Sequence, residues 1–547
     1  MLMRACLCYF AVGFLVLPLG CRTTSSGDST LQDASRVRDA ENLTPRESED
    51  IDIYFHPFES TFGPVAELVR DPEFKRIDIA MYSMETNPER SEIIRAFQEQ
   101  AERIESGDLK VRMLFQGYKD PCEKCPLFEQ LGIDVRQVNS KDVHHKYGVF
   151  YGGDKTAVMT GSGNWSSSSN SNYDENMMLI RNHPGLAMRY VKEFQTLWAY
   201  YEPKRDLSPE EQALNEDDDP SNDIWDNWGI DRQIEDFEVP TDIELEPGID
   251  VVFNSDNFNI TQNSARSKRP PTFLMTNSLV QLIDSAEQTI HMATPRISLR
   301  PVYDALLRAA ARGVKIYIMS TEAEYEYPRS RRYPELTGKL FGCDEERIEP
   351  DGVDNDELKK SYGRCCDEVG DNDVQFDPYE EKCSTSQNHV KLLDDGIHPG
   401  SADGSDEFPG HENMEIRLKL FTWYPRSQGI AKQMHAKFTI VDGTYFLAGS
   451  FNYSYNSEYK LFENAVFVDG RRYPNTVNTM LEKFTRIWDR GRDIYAEFQP
   501  AFEAAHESGE QIECPPIMFS LTYDEIEFFL ATRTRHQEHR NLRAACR

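Results

Sequence analysis

Two histidine–lysine pairs recur in this chain with the same companions. His435 and Lys437 stand two apart and are followed by Asp442, by Gly449-Ser450-Phe-Asn452, and by Glu463-Asn464. Upstream, His144 and Lys146 are followed by Gly161-Ser162-Gly-Asn164 and by Glu175-Asn176. The two leading histidines lie 291 residues apart, yet Asn and Glu are eleven positions apart in both copies. Such agreement points to one unit used twice in a single polypeptide. The residue types suit a tetrahedral anion. An imidazole can attack phosphorus or carry a proton, while ammonium, amide and hydroxyl groups hold the oxygens.

These side chains need elements that bring them together. Phe438 and Ile440 alternate with polar neighbours, so the segment carrying His435 and Lys437 reads as a strand with both side chains on one face. The turn Asp442-Gly443-Thr444 then reverses the chain into a second strand ending at Gly449-Ser450, as in a hairpin. Ahead of each copy the elements come in the same order. In the first half, strands are expected at 51–55, 77–81 and 109–115, with helices at 64–69 and 91–104. In the second half, strands fall at 249–254, 289–293 and 314–319, with helices at 278–285 and 302–312. Strands alternating with helices predict an α/β sheet layered with helices. Each half closes on a helix with the same large apolar residues, Phe194-x-x-Leu197-Trp198 and Phe484-x-x-Ile487-Trp488, read as core.

The downstream copy, H-x-K-x4-D-x6-G-S-x-N, matches the signature of the phospholipase D superfamily at every spacing. The upstream copy resembles it with one departure. Tyr151 stands where Asp is expected and three extra residues precede Gly161, which reads as a longer hairpin at Gly152-Gly153-Asp154. The resemblance implies two α/β halves facing each other across a pseudo-twofold axis and sharing one active site. It makes His144, Lys146, Asn164, Glu175, His435, Lys437, Asp442, Asn452 and Glu463 the catalytic set, with Gly161, Ser162, Gly449 and Ser450 at the substrate. One histidine attacks phosphorus and the other protonates the leaving alcohol; His144 is assigned the nucleophile and His435 the acid. Each glutamate orients a histidine. Two ammonium groups over the phosphate make a metal or other cofactor unnecessary. His145, on the opposite face of its strand, is read as structural.

The remaining chain frames this unit. Residues 1–20 carry Arg4 and an apolar run, as in a cleaved export signal, and Cys21 follows in a context resembling a lipobox, so lipid anchoring at Cys21 is expected. Residues 21–48 read as a flexible tether, 49–205 as the first half, 206–248 as an acidic linker, 249–495 as the second half and 496–547 as a C-terminal extension. An insertion at about 320–425, holding Cys343, Cys365, Cys366 and Cys383, precedes the second catalytic strand and is the candidate for substrate selection. Beyond Cys21 there are eight cysteines, an even number that suits disulfides in an exported protein. For Cys122 and Cys125 either a local disulfide or bridges elsewhere fit.

Charge narrows the function. Lys plus Arg number 60 against 93 Asp plus Glu, a formal net charge of −33, and no basic stripe flanks the motifs, which argues against nucleic acid as partner. The expected activity is a phospholipase D-like hydrolysis of a phospholipid head-group phosphodiester at a membrane surface, with transphosphatidylation when another alcohol is present. A metal-independent endonuclease and a non-catalytic envelope-binding module are the alternatives. With both motifs in one chain, a monomer is expected, in the bacterial envelope or secreted.

Overall fold

The computed structural model describes residues 43–116, 122–138, 142–201, 234–261, 264–269, 272–297, 299–321, 413–419 and 433–489, with a few positions beyond. The export signal, Cys21, nearly all of the insertion with its four cysteines, and almost all of the C-terminal extension lie outside these residues.

In the first half, β1 (Ile51–His56), α1 (Phe62–Arg70), β2 (Arg76–Met81), α2 (Glu92–Glu99), α3 (Ala101–Glu105), β3 (Lys110–Phe115), α4 (Cys125–Gln130) and β4 (Asp134–Gln137) precede the catalytic segment. This segment comprises β5 (Asp142–Val143), β6 (Lys146–Tyr151), β7 (Ala157–Gly161), α5 (Ser167–Asn172) and β8 (Tyr173–Arg181), and α6 (Pro184–Tyr200) closes the half. The second half follows the same plan: β9 (Ile249–Phe253), a β10 (Phe258–Thr261) and β11 (Ser264–Ser267) ribbon, α7 (Leu274–Asp284), β12 (Thr289–Ala293), α8 (Arg300–Ala311), β13 (Lys315–Thr321) and β14 (Met414–Lys419). Its catalytic segment comprises β15 (Gln433–Met434), β16 (Phe438–Val441), β17 (Tyr445–Gly449), α9 (Tyr455–Tyr459), β18 (Leu461–Phe462) and β19 (Asn464–Asp469), closed by α10 (Pro474–Trp488). The single helix expected at 91–104 is two helices meeting at Gln100.

Strand order makes the repeat explicit. The first sheet runs β1-β8-β7-β6-β2-β3-β4, and the second contains β9-β19-β17-β16-β12-β13-β14. Position by position these are the same sheet, mixed in direction, with β2-β3-β4 and β12-β13-β14 parallel and the hairpins antiparallel. The likeness reaches side chains remote from any chemistry. Phe194 stacks on Trp198 at 5.4 Å and Phe484 on Trp488 at 5.5 Å. Arg136 lies 4.0 Å over Trp198 and Arg417 4.2 Å over Trp488, a cation–π contact strengthened by burial. The aromatics of both closing helices are buried, as core residues should be.

Two apolar clusters belong to the separate halves, and a third is common to both. In the common cluster Phe55 of the first half meets Phe438 of the second edge-on at 5.5 Å, and α6 and α10 contribute Tyr190, Phe194, Met480 and Phe484. Neither half could expose these faces without leaving large apolar side chains in water.

Residues flanking the two sheets also take part in the packing. The last residues of the expected tether are engaged with the second half. The Arg46 N–H donates to the Arg472 carbonyl and the Arg472 guanidinium to the Thr44 carbonyl; Glu49, the first residue of the expected first half, accepts from the Asn475 and Thr476 N–H groups in the first turn of α10, where a helix welcomes negative charge. The end of the expected linker is likewise packed. Asp236 pairs with Arg112, Phe237 lies edge-on to Tyr151 at 5.1 Å, and Glu246 accepts from the first turn of α6. Acidic residues there, Asp236 and Glu246, serve local partners. No described helix is long and apolar enough to cross a membrane.

Candidate active site

Two short parallel pairings bring the repeats face to face. β5 pairs with β18, matching Asp142 to Leu461 and Val143 to Phe462, while β15 pairs with β8, matching Gln433 to Tyr173 and Met434 to Asp174. Each joins the residues just before a histidine to those just before the other half's glutamate. The ladder continues one residue further, with the His144 N–H donating to the Phe462 carbonyl and the His435 N–H to the Asp174 carbonyl, at 3.0 and 2.9 Å.

The side chains therefore pair across the halves. Nδ1 of His144 lies 2.8 Å from Glu463, and Nδ1 of His435 lies 2.9 Å from both oxygens of Glu175. A carboxylate at Nδ1 holds the ring and leaves Nε2 for chemistry. Lys146 Nζ donates to the His144 carbonyl at 2.6 Å and Lys437 Nζ to that of His435 at 2.5 Å, so each ammonium is tied beside its own imidazole. Asn164 and Asn452 complete the repeat; their Oδ1 atoms are buried without a hydrogen-bond partner among the described residues. No side-chain hydrogen bond within the described residues holds either carboxamide, which leaves both available to a bound anion.

The two dyads have different surroundings. Glu175 accepts from Ser162 at 2.6 Å and from Ser169 at 2.8 Å in addition to His435. Burial alone would raise this carboxyl, but the neighbouring His435 and Lys437 charges and the hydroxyl bonds hold it below the usual range. Beside it, Asp174 forms a buried ion pair with Lys419 of β14. The matching positions are Phe462 and Val138, which are apolar and buried. Among the described residues Glu463 Oε2 has no hydrogen-bond partner, and burial, opposed by Lys146 and by the nearby Ser450 and Ser457 hydroxyls, pushes the carboxyl up to about 7. Burial, with Lys146 and Lys437 nearby, holds His144 well below its ordinary value. His435 is lowered by burial too, but Glu175 opposes the shift. Burial also brings Lys146 down to about 8 and Lys437 to about 7.

Several expected residues have other work. Asp442 lies at the opposite end of β16 from His435, in a turn where it and Gly443 take φ of 53° and 59°. Its carboxylate accepts from the N–H groups of Glu287, Gln288 and Thr289 at 2.8–2.9 Å. It fastens the hairpin to the start of β12, away from the side chains that the two halves bring together. In the first half the expected longer hairpin is present between β6 and β7, and the Tyr151 hydroxyl donates to Asp78 instead. Ser162 and Ser450 are engaged within the protein: the first donates to Glu175, and the second bonds the Asn464 backbone. Gly161 and Gly449 are required sterically, since a Cβ would stand 2.2 Å from the Asn176 carbonyl oxygen and 2.1 Å from that of Asn464. His145 is structural as expected, held by Glu193 at 3.1 Å and by Asn464 at 3.0 Å. Cys122 and Cys125 form a local disulfide.

Sequence reasoning passed over Ser169, although its repeat mate is visible: Ser166 and Ser169 stand as far from Ser162 as Ser454 and Ser457 do from Ser450. Tyr82, whose ring lies 5.0 Å from His144 and 5.2 Å from the Lys146 ammonium, has no counterpart to signal it. Asn176 and Asn464 belong to the repeated motif and act across the halves, Asn176 Oδ1 accepting from the Lys437 N–H at 2.7 Å. A cavity of about 570 Å³ opens beside Asn452.

The family model described as "Cardiolipin synthase, PLD-like domain" matches residues 69–198 and 279–488. The chain belongs to the phospholipase D superfamily. Both matched stretches carry one copy of the His, Lys, Asn and Glu set, which makes it a two-copy member of a superfamily of phosphodiesterases. The mitochondrial cardiolipin hydrolase of Xenopus laevis is 38% identical over 73 residues, a stretch covering 13% of this chain and 33% of that protein. Among solved structures, the phosphatidylserine synthase of Haemophilus influenzae is 12% identical with a TM-score of 0.44, covering 83% of this chain and 90% of that one. The polyphosphate kinase of Porphyromonas gingivalis, also 12% identical, has a TM-score of 0.40 and covers 86% of this chain and 52% of its own.

Proposed function

We propose that this protein is a phospholipase D-type enzyme that hydrolyses the head-group phosphodiester of a phospholipid through a phosphohistidine intermediate. The observation that carries the reading is the pair of crossed dyads, in which two imidazoles, each held at Nδ1 by the opposite half's glutamate, share a buried site with two ammonium groups.

The unlike surroundings of the dyads support unlike roles. His144, kept neutral by burial and neighbouring cations, presents an unprotonated Nε2 and attacks phosphorus. As the P–N bond forms and the P–O bond breaks, His435 gives its Nε2 proton to the departing oxygen. Glu175, held below the usual carboxylate range by the neighbouring His435 and Lys437 charges and by the Ser162 hydroxyl, stabilises the imidazolium that this role requires. Neutral His435 then takes a proton from water, whose oxygen attacks phosphorus, and the P–N bond breaks to return His144. Lys146, Lys437, Asn164 and Asn452 hold the non-bridging oxygens throughout. If an alcohol replaces the water, the same steps give transphosphatidylation.

Substrate class rests on charge. A chain of formal charge −33 gains little from the phosphate neutralisation on which nucleic-acid binding depends. Export and anchoring at Cys21 belong to the same proposal and would keep the site at a lipid surface.

The test is turnover of phosphatidylcholine, phosphatidylethanolamine and plasmid DNA by the full chain in detergent, with EDTA present. Choline or ethanolamine release is expected, falling by roughly three orders of magnitude or more in His144→Ala and His435→Ala. DNA cleavage without lipid turnover would replace the substrate with nucleic acid. Inactivity on all three would favour a binding module.

A further inference from the structure

His145 stands between His144 and Lys146, and its ring is fully buried with no part in the chemistry above. The second copy has Ala436 at this position, so the fold does not require a polar group there. A buried polar side chain is tolerated only when its bonds are completed, and those of His145 are completed by both halves. Its Nε2 lies 3.1 Å from Glu193 of α6, whose other oxygen accepts from Ser255, just after β9, at 2.6 Å. Its Nδ1 lies 3.0 Å from Asn464 Nδ2. An amide nitrogen can only donate, so Nδ1 accepts and the ring proton sits on Nε2, facing Glu193. Asn464 Oδ1 in turn accepts from Thr160 at 3.0 Å and from Tyr190 at 3.1 Å.

The repeat shows what is particular to this arrangement. The closing helix of each half reaches the segment after the first strand of the other half: Glu193 meets Ser255, and Lys483, at the position equivalent to Glu193, pairs with Glu59. Among the described residues the first of these contacts continues to a catalytic segment and the second does not, because Ala436 has no group to hold. Asn176, the mate of Asn464, gives its Oδ1 to the Lys437 N–H instead. The His145–Asn464 bond lies one residue further along the same two segments as the His144–Glu463 bond. Two adjacent rungs therefore join the halves at this dyad.

We propose that His145 is a positioning residue for the His144–Glu463 dyad, which together with Asn464, Glu193 and Ser255 aligns the His144 imidazole for attack on phosphorus. The inference rests on the reading of His144 as nucleophile and adds to it the group that aligns it. The bond from His145 fixes Asn464, and with it the adjoining backbone that carries Glu463; Glu193 and Ser255 fix His145 itself. A reacting constellation keeps its geometry only when the side chains behind it are locked by bonds of their own. An error of about 1 Å at the attacking atom costs roughly a hundredfold in rate. Once the P–N bond exists, that bond places the ring, so the effect of His145 falls on formation of the adduct rather than on its hydrolysis.

The experiment reads the full chain in two ways. Nitrogen-15 histidine NMR of the resting protein follows the Nδ1 proton that His144 shares with Glu463, and rapid mixing with p-nitrophenyl phosphocholine separates the phenolate burst from decay of the adduct. In His145→Leu the His144 proton signal should give way to exchange between ring tautomers while that of His435 persists, which also shows that the protein is folded. The burst should slow by roughly tenfold to a hundredfold, with adduct decay within about threefold. His145→Asn, which keeps an acceptor for Asn464, should recover most of both readouts. Lys483→Gln, which breaks the equivalent contact of the other closing helix, should change neither. An unchanged His144 signal in His145→Leu, equal slowing of both steps, or the same losses in Lys483→Gln would overturn the positioning role. If no phenolate is released by any form while the NMR changes follow as stated, the phospholipase reading fails and the positioning of His144 stands.

Discussion

Each imidazole meets a carboxylate, but the two carboxylates are not equivalent. The His435 and Lys437 charges and a serine hydroxyl hold Glu175 below the usual carboxylate range, whereas at Glu463 burial outweighs Lys146 and the Ser450 and Ser457 hydroxyls and raises it to about 7. The lysines shape the pH response of the free enzyme. Burial and the neighbouring cations hold His144 well below its ordinary value, so protonation of the proposed nucleophile limits the rate only in acid. Lys437 at about 7 and Lys146 at about 8 are cationic below those values and lose charge above them. We therefore expect kcat/KM to be highest on the acid side of neutrality and to fall as pH rises through about 7 to 8, chiefly through KM, since bound phosphate keeps both ammoniums charged. A profile still rising beyond pH 8 would contradict these assignments. The sequence made the grouping of His144, His435 and their lysines legible because residue type and spacing repeat. It could not show which glutamate serves which histidine, because that depends on a contact made between the halves.

At the scale of elements, the motif mixes residues that react with residues that hold strands. Asp442 and Gly449 are both in the signature, yet one anchors a hairpin and the other admits a close backbone approach. Asp442→Asn should lower stability by about 1–2 kcal/mol, because three amides lose a charged acceptor at a partly exposed turn. Its kcat should stay within about twofold, read from a urea midpoint alongside turnover. Gly449→Ala should instead act on the chemistry. A Cβ 2.1 Å from the Asn464 carbonyl must displace the strand next to Glu463, and a shift near 1 Å there costs roughly a hundredfold in rate. If Asp442→Asn abolished turnover without loss of stability, the aspartate would have to be returned to the reacting set. Strand and helix positions were readable from hydrophobic period, including the matching sheets. The break at Gln100 and the packed end of the acidic linker were not, because both depend on tertiary partners that composition does not encode.

In the whole molecule, the two halves cannot be separated without dismantling the site. They share an apolar cluster, and the chain before β1 crosses to cap α10. The duplicated motif announced two halves; only the structure shows that β5 meets β18 and β15 meets β8, and that this exchange creates the dyads. The central claim is that one composite site uses His144 to attack and His435 to move protons, and a trapped intermediate tests it most directly. With p-nitrophenyl phosphocholine the departing phenolate needs no acid, so His435→Asn should still be phosphorylated, whereas the following hydrolysis lacks its base. Peptide mass spectrometry after rapid quench should then find a phosphocholine adduct on His144, close to one per chain. An adduct on His435 in His144→Asn, with none on His144, would reverse the roles, and unimpaired steady turnover by either variant would contradict a shared site.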